Sequence, residues 1–241
     1  MRLSVIIPAY NEERRLPKTL EDIDKYLSKQ SYDYEILVVN DGSKDRTVEV
    51  AKSLISKIKN LKVTGYKINQ GKGYAVRFGM LEARGEHRLF TDADNSTSIN
   101  HIEKMWPELK AGFDIVIGSR DSRDAKGAYQ AFPQPWLRRK LADIYNLLVQ
   151  IIVGIWGIWD SQCGFKSFTK KAAEDIFPRC KINRFSFDPE FLAIAKKLGY
   201  KIKIVPVYWK NDPHTTVKLK SMVKMGIDLL KIRWNLIKGR Y

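Results

Sequence analysis

Cysteine and histidine are scarce in this chain. Two cysteines, Cys163 and Cys180, stand among 241 residues and form no C-x-x-C pair. That spacing excludes a zinc or redox site of the usual kind, and so few thiols fit a reduced, cytosolic setting. The three histidines, His87, His101 and His214, are scattered, so neither a zinc triad nor a Ser-His-Asp set is supported. The first apolar run, Leu3 to Ala9, is too short for a signal peptide. No repeat or low-complexity segment occurs. The glycine-rich dinucleotide fingerprint is missing: Pro8-Ala9-Tyr10-Asn11-Glu12-Glu13 follows the first strand-like run, and after Gly71-Lys72-Gly73 the third glycine's place is held by Val76. The glycine-rich, Arg-containing loop of a sugar-phosphate nucleotidyltransferase is missing too. Negative charge is also in deficit, with 27 Asp and Glu against 43 Lys and Arg, a net +16. That excess implies an anionic partner: nucleic acid, an acidic membrane surface or phosphorylated substrates.

What is present reads as one sizeable α/β domain, and 44% hydrophobic residues supply its core. Short β-branched runs at Leu3–Ile7, Glu35–Val39, Leu61–Lys67, Leu89–Thr91 and Asp114–Gly118 alternate with helical stretches. The helices are expected to reach about Leu27, Lys59, Gly85 and Lys110, with Asp45 capping the second. This β-α-β-α order predicts a doubly wound, mostly parallel sheet. Such sheets bind ligands beyond the carboxyl ends of their strands, and each polar motif falls at such an end.

The central motif is Asp92-Ala93-Asp94, where an apolar strand ends in two carboxylates spaced i, i+2. Two hard oxygen donors in one crevice suit Mg2+ or Mn2+, with a diphosphate completing the shell. Spacing alone is weak: Asp22-Ile23-Asp24 repeats it inside a helical, solvated stretch. The preceding strand and the surrounding motifs single out the pair at 92 and 94.

Val5-Ile6-Ile7-Pro8-Ala9-Tyr10-Asn11-Glu12, Val39-Asn40-Asp41-Gly42-Ser43, Asn69-Gln70-Gly71-Lys72-Gly73 and Asp92-Ala93-Asp94 together resemble the inverting family-2 glycosyltransferases of GT-A fold. Asp160-Ser161-Gln162-Cys163-Gly164-Phe165-Lys166, Arg184-Phe185-Ser186-Phe187-Asp188-Pro189-Glu190 and Met225 to Arg233 are similar to the polyprenyl-phosphate branch, specifically to dolichyl-phosphate glucosyltransferases. The resemblance implies that Pro8, Tyr10 and Glu12 line a base and ribose pocket and that Asp41 accepts from the base edge. It implies that Gly71 and Lys72 meet the donor phosphates, and that Asp92 and Asp94 hold the metal, Asp94 being catalytic as well. Ser96 occupies the place where some relatives carry a third oxygen ligand. Arg120, with Arg138 or Arg139, is expected to grip the acceptor phosphate. Asp160 and Gln162 are expected near the chemistry. A phosphate monoester is largely ionised at neutral pH, so Asp160 either orients it, finishes deprotonating it or makes only a structural bond. Cys163 reads as a small buried residue. Where relatives often carry Gly-Ser-Lys, this chain has 209–218, leaving Lys218 or His214 as substitutes.

Two segments read as lipid-facing. Leu141 to Trp159 is almost uncharged, with Asp143, Asn146, Gln150, Gly154 and Gly157 forming a polar or small stripe after the basic run Arg138-Arg139-Lys140. Ser221 to Lys238 places Lys224, Asp228, Lys231, Asn235 and Lys238 on one face. Both are expected to lie in a membrane interface. A core helix for the first, and a packed terminal helix or a dimer contact for the second, are the other readings. The expected organisation is a catalytic domain over 1–210 and a C-terminal acceptor loop and helix over 211–241. Within the first, 1–118 forms the nucleotide-sugar half and 119–210 the acceptor half, its interfacial helix near 139–159. The resemblance implies transfer of glucose from UDP-glucose to a polyprenyl phosphate, at the cytoplasmic face of a membrane. GDP-mannose or another UDP-sugar is the alternative donor. A basic nucleic-acid-binding protein is the alternative of another class, and an inactive scaffold is discounted by the intact carboxylate pair. A homo-oligomer is left open.

Overall fold

A computed structural model describes residues 1–131, 136–210 and 219–241, and leaves aside the side chains of Leu137, Arg138, Leu219, Lys220 and Met222. In chain order the first half comprises β1 (Leu3–Ala9), α1 (Leu16–Leu27), β2 (Tyr34–Asp41), α2 (Thr47–Ser53), β3 (Leu61–Tyr66), α3 (Lys72–Glu82), β4 (His87–Thr91), a 3-10 segment (Ile99–Lys104), α4 (Trp106–Lys110) and β5 (Ile115–Ser119). The second half comprises β6 (Tyr129–Gln130), α5 (Trp136–Leu148) with a π-helical continuation (Val149–Val153), β7 (Phe165–Thr169), α6 (Lys170–Ile176), α7 (Phe187–Lys197), β8 (Ile202–Pro206), β9 (Tyr208–Trp209) and α8 (Leu219–Ile237).

Seven strands form one sheet in the order β3-β2-β1-β4-β7-β5-β8. All neighbours are parallel except β7, which runs antiparallel to both β4 and β5. The inner strands are apolar on both faces because both faces are covered. Leu3, Val5, Ile7, Ile36 and Val38 join one core, and Ile6, Leu37 and Val39 join the other. Helix α3 lies so close to β1 and β2 that a Cβ at Gly79 would stand 2.4 Å from Ile6 Cγ2.

Several boundaries differ from the sequence reading. Helix α2 ends at Ser53, six residues short of Lys59. The stretch expected to run from Ile102 to Lys110 divides at Met105, where Pro107 at a helix start favours a new first turn. The helix expected to continue to Trp159 stops at Val153, because Gly154 turns left-handed at φ 82°.

The antiparallel strand organises the site. Its register pairs Thr91 with Phe165 and Ile117 with Lys166. Asp92, just past the end of β4, therefore faces Gly164, just before the start of β7. By the same geometry, the start of β7 joins the carboxyl ends of β1, β2, β4 and β5 along a single sheet edge.

Candidate active site

The loops after β1 and β2 are stitched to each other. Asn11, at φ 57°, receives Lys44 N–H on Oδ1 at 2.8 Å, while its own amide donates to Ser43 Oγ. Glu12 N–H donates to Thr47 Oγ1 at 2.7 Å, and Asp45 accepts from the Glu13 and Thr47 amides. Asp45, expected to cap α2, stands one residue before the cap position, which Arg46 holds instead, and anchors the first turn through the Thr47 amide. Pro8 is half-buried and Tyr10 exposed at this edge. The Glu12 carboxylate is clamped by Arg15 at 2.6 and 2.5 Å. Burial nevertheless raises its pKa, with Asp94 and Asp92 adding to the rise.

Asp41, expected at the base edge, has a structural task beside it. It is buried, and its carboxylate accepts from Asn69 Nδ2 at 2.8 Å and from the Gln70 and Gly71 amides at 2.8 and 2.9 Å. It therefore holds the loop before α3. Gly71 N–H donates to Asp41. Both glycines answer to packing: Gly71 has φ 107° and lies against Asn183 O, and a Cβ on Gly73 would come within 2.6 Å of Phe187 Cβ.

Lys72, half-buried at the start of α3, places Nζ 2.6 Å from Asp92 Oδ1. Burial lowers its pKa, but Asp92 and Asp188 outweigh that and leave it raised. On the other side of Asp92 lies Gly164, where a Cβ would be 2.0 Å from Oδ2. The glycine in the second signature is thus required by the carboxylate it faces. Asp94 is held by the Ser96 amide on Oδ1 at 3.0 Å, and burial together with Asp92 raises its pKa. Ala93 between them is buried, and its carbonyl accepts from Thr19 Oγ1. The kink leaves both carboxylates at the edge.

This pair fits a divalent cation by its donor chemistry: two hard carboxylates, crowded enough to raise one pKa, with an ammonium already drawn to one of them. Among the described residues no cluster of three His, Cys, Asp or Glu side chains forms a metal site, so further oxygens would come from water or from a bound diphosphate.

Arg120 and Asp160, expected as separate contributors, form one unit. The Arg120 amide and Nε both donate to Asp160 Oδ2 at 2.8 Å, and Nη2 donates to Oδ1 at 2.7 Å. The guanidinium also lies over Trp209, 5.1 Å from the ring centre. Burial alone would raise the Asp160 pKa, but Arg120 more than offsets it and the carboxyl is held below the usual range. Such a carboxylate is a poor base and a good anchor. Gln162 is half-buried beside it, its Nε2 donating to Phe185 O at 3.3 Å. Arg139 is exposed on α5. The side chain of Arg138, and Lys218 and His214 entirely, lie outside the described residues. Cys163 is fully buried, and burial pushes its thiol up to about 12, which fits the inert reading.

Sequence reasoning gave no role to Lys166, Asp188 or Asp124. Lys166 is fully buried, with Nζ 2.7 Å from Asp188 Oδ1 and 5.3 and 5.6 Å from the ring centres of Phe90 and Phe191. Asp124 accepts from the Trp159 and Asp160 amides at 2.6 and 2.7 Å and from Ser119 Oγ at 2.7 Å, fixing the turn that carries Asp160. A lysine enclosed with Ser167 between Phe165 and Phe168 in a strand-like run was the available signal for the first.

Comparison with known proteins agrees with this geometry. The model of glycosyl transferase family 2 matches residues 4–177. A dolichyl-phosphate beta-glucosyltransferase of Trichomonas vaginalis is 40% identical over 240 residues, covering 95% of this chain and 72% of that protein. A human protein of the same name is 35% identical over 257 residues, covering 100% and 77%. Among solved structures, mannosyl-3-phosphoglycerate synthase from Rubrobacter xylanophilus superposes with a TM-score of 0.71 at 18% identity, covering 100% of this chain and 76% of that one. Glucosyl-3-phosphoglycerate synthase from Mycobacterium tuberculosis, in complex with Mn2+, UDP and glucosyl-3-phosphoglycerate, superposes with a TM-score of 0.68 at 18% identity, covering 99% and 79%. The two structural likenesses establish the shared fold, while the family match and the identity to the named relatives go further: this chain is a glycosyltransferase and belongs to glycosyl transferase family 2.

Proposed function

We propose that this enzyme transfers glucose from UDP-glucose to a polyprenyl phosphate of the dolichyl kind, with inversion, giving a β-linked lipid-phosphate sugar. The observation that carries the reading is the Asp92–Asp94 pair at the sheet edge, flanked by Lys72 and the Arg120–Asp160 unit, in a chain whose named relatives are dolichyl-phosphate glucosyltransferases. The loops after β1 and β2, with Pro8, Tyr10 and Glu12, would cradle the uridine. Asp92 and Asp94 would hold Mg2+ or Mn2+, which supplies charge neutralisation for the departing diphosphate. Lys72, now paired with Asp92, would leave it to meet the same phosphates. Arg120, oriented by Asp160 and Trp209, offers its remaining donors to the acceptor phosphate, whose oxygen attacks the anomeric carbon. That oxygen is already ionised at neutral pH, so Asp160 serves to aim Arg120 rather than to remove a proton.

Peripheral attachment to the cytoplasmic face of a membrane is part of this reading. No described helix is long and apolar enough to cross a bilayer. Instead α5 and its continuation expose Ile144, Leu147, Leu148 and Ile151, and α8 exposes Val223, Ile227, Leu230, Trp234 and Ile237 at helical spacing. The polar residues expected to form one stripe on each helix are partly turned inward, since Gln150 and Asp228 are buried. An outward apolar face on a protein of net +16 suits an anionic lipid surface. A turnover assay with a short polyprenyl phosphate tests the whole reading: UDP-glucose should be consumed in a metal-dependent way. Preference for GDP-mannose would replace the donor. Tight, metal-independent oligonucleotide binding without turnover would replace the function.

A further inference from the structure

A groove of about 720 Å³ opens between α8 and the segment 181–184, and reaches the loop before α3 at Asn69 and Gln70. None of Asp92, Asp94, Arg120 or Asp160 lines it. Five cations do: Lys181, Arg184, Lys224, Lys231 and Arg240. The lining holds one carboxylate, Asp228, already paired with Lys231 at 3.0 Å. Among the described residues, Lys181, Arg184, Lys224 and Arg240 have no carboxylate within ion-pair distance. The rest of the lining divides between the amides Asn69, Gln70, Asn183 and Asn235 and an apolar lip, and Ile227, Leu230 and Trp234 belong both to that lip and to the outward stripe of α8. The groove therefore opens onto the same surface that presents apolar side chains to solvent.

Unpaired cations in a concave site next to an apolar lip match an amphiphile with an anionic head. We propose that this groove takes the phosphate headgroup of an anionic bilayer phospholipid, separate from the substrate's own phosphate site. The cations bind the head, and the lip residues enter the acyl boundary. Occupancy also has a path to the donor side. Arg184 packs on Gly71, with Cγ 2.8 Å from the position of a Cβ there, and Asn69 and Gln70 are held by Asp41. A seated headgroup steadies the loop that carries Lys72. The proposal rests on the membrane reading above, and its test separates the two.

The full chain is floated with vesicles of phosphatidylcholine alone and of phosphatidylcholine with phosphatidylglycerol in equal parts. Two double variants are compared. Lys224→Gln with Arg240→Gln removes two groove cations, and Arg233→Gln with Lys238→Gln removes two exposed cations of the same region outside the groove. Bulk electrostatics would weaken anionic-vesicle binding equally in both. The groove predicts that the first pair loses at least about tenfold more affinity than the second, with neutral-vesicle binding unchanged. Equal losses overturn the groove and leave the membrane reading standing. Binding to neither vesicle overturns both. If the difference between the pairs appears only when polyprenyl phosphate is added to neutral vesicles, the groove is not a phospholipid site and the proposal fails.

Discussion

The loops proposed to hold the donor and the segment proposed to meet the acceptor lie along one sheet edge but are held by different forces. After β1, β2 and β3 the chain is fixed by short hydrogen bonds between side chains and backbone amides, such as Asp41 to Gln70 and Gly71 and Asn11 to Lys44. On the acceptor side the key parts are buried ion pairs, Arg120–Asp160 and Lys166–Asp188, beside helices that turn apolar side chains outward. Amide-to-carboxylate bonds give a loop one fixed shape. A buried ion pair instead keeps a charge in place that is costly to strand but can be re-partnered by an anionic substrate. The difference suits a rigid nucleotide cradle facing a lipid-borne phosphate.

The largest effect should come from Asp92 and Asp94, the carboxylates proposed to hold the metal. Asp94→Asn is expected to lower turnover by on the order of a thousandfold and to abolish Mn2+-dependent UDP binding in titration calorimetry. The same change should hold or raise the melting temperature at neutral pH. Burial raises the pKa of Asp94 in the folded state. Its contribution is thus fully present below the ordinary aspartate pKa and is lost as pH rises through the raised one. The difference in melting temperature between the two proteins should therefore vanish in acid, and a variant less stable than wild type at pH 7 would contradict the crowding inferred here.

Asp160→Asn tests the acceptor-side half of the comparison. Stranding Arg120 should cost about 3–5 kcal/mol in denaturant unfolding, and an apolar double replacement, Arg120→Met with Asp160→Leu, should recover most of it without recovering activity. If the single change cost little, Arg120 would not depend on Asp160. On the donor side, Asp41→Asn should cost about 1–3 kcal/mol, because one oxygen of the carboxylate becomes a donor facing two amides. Hydrogen exchange should then quicken at Gln70 and Gly71 in particular. The smallest effect on stability belongs to the outward faces. Ile144→Glu should leave folding stability within about 0.5 kcal/mol of wild type, yet reduce partition onto vesicles by about tenfold.

The sheet was legible because its strands are buried on both faces and their runs at 3–7, 35–39 and 114–118 are nearly uninterrupted. The helices α5 and α8 were legible as amphipathic, but not which residues lay outward: Gln150 and Asp228 are polar and buried, whereas Leu230 and Trp234 are apolar and exposed. Periodicity reports that two faces differ, and only a neighbour decides which one is covered. The antiparallel β7 was missed as a strand, since Phe165-Lys166-Ser167-Phe168 carries a lysine where a core residue is expected. That lysine is buried only because Asp188, 22 residues onward, meets it.

By itself the sequence determined where chemistry could occur, because polar motifs ending β-branched runs must lie at the carboxyl edge of a parallel sheet, and because a doublet of carboxylates there has few uses other than a hard cation. Tertiary structure decided which groups share a charge. Asp92 meets Gly164 through an antiparallel register, Arg120 meets Asp160 across 40 residues, and Asp41 is turned to the loop before α3. Pairing of this kind depends on strand register and on burial, which set distance and dielectric together, and neither is written in the spacing of residues along the chain.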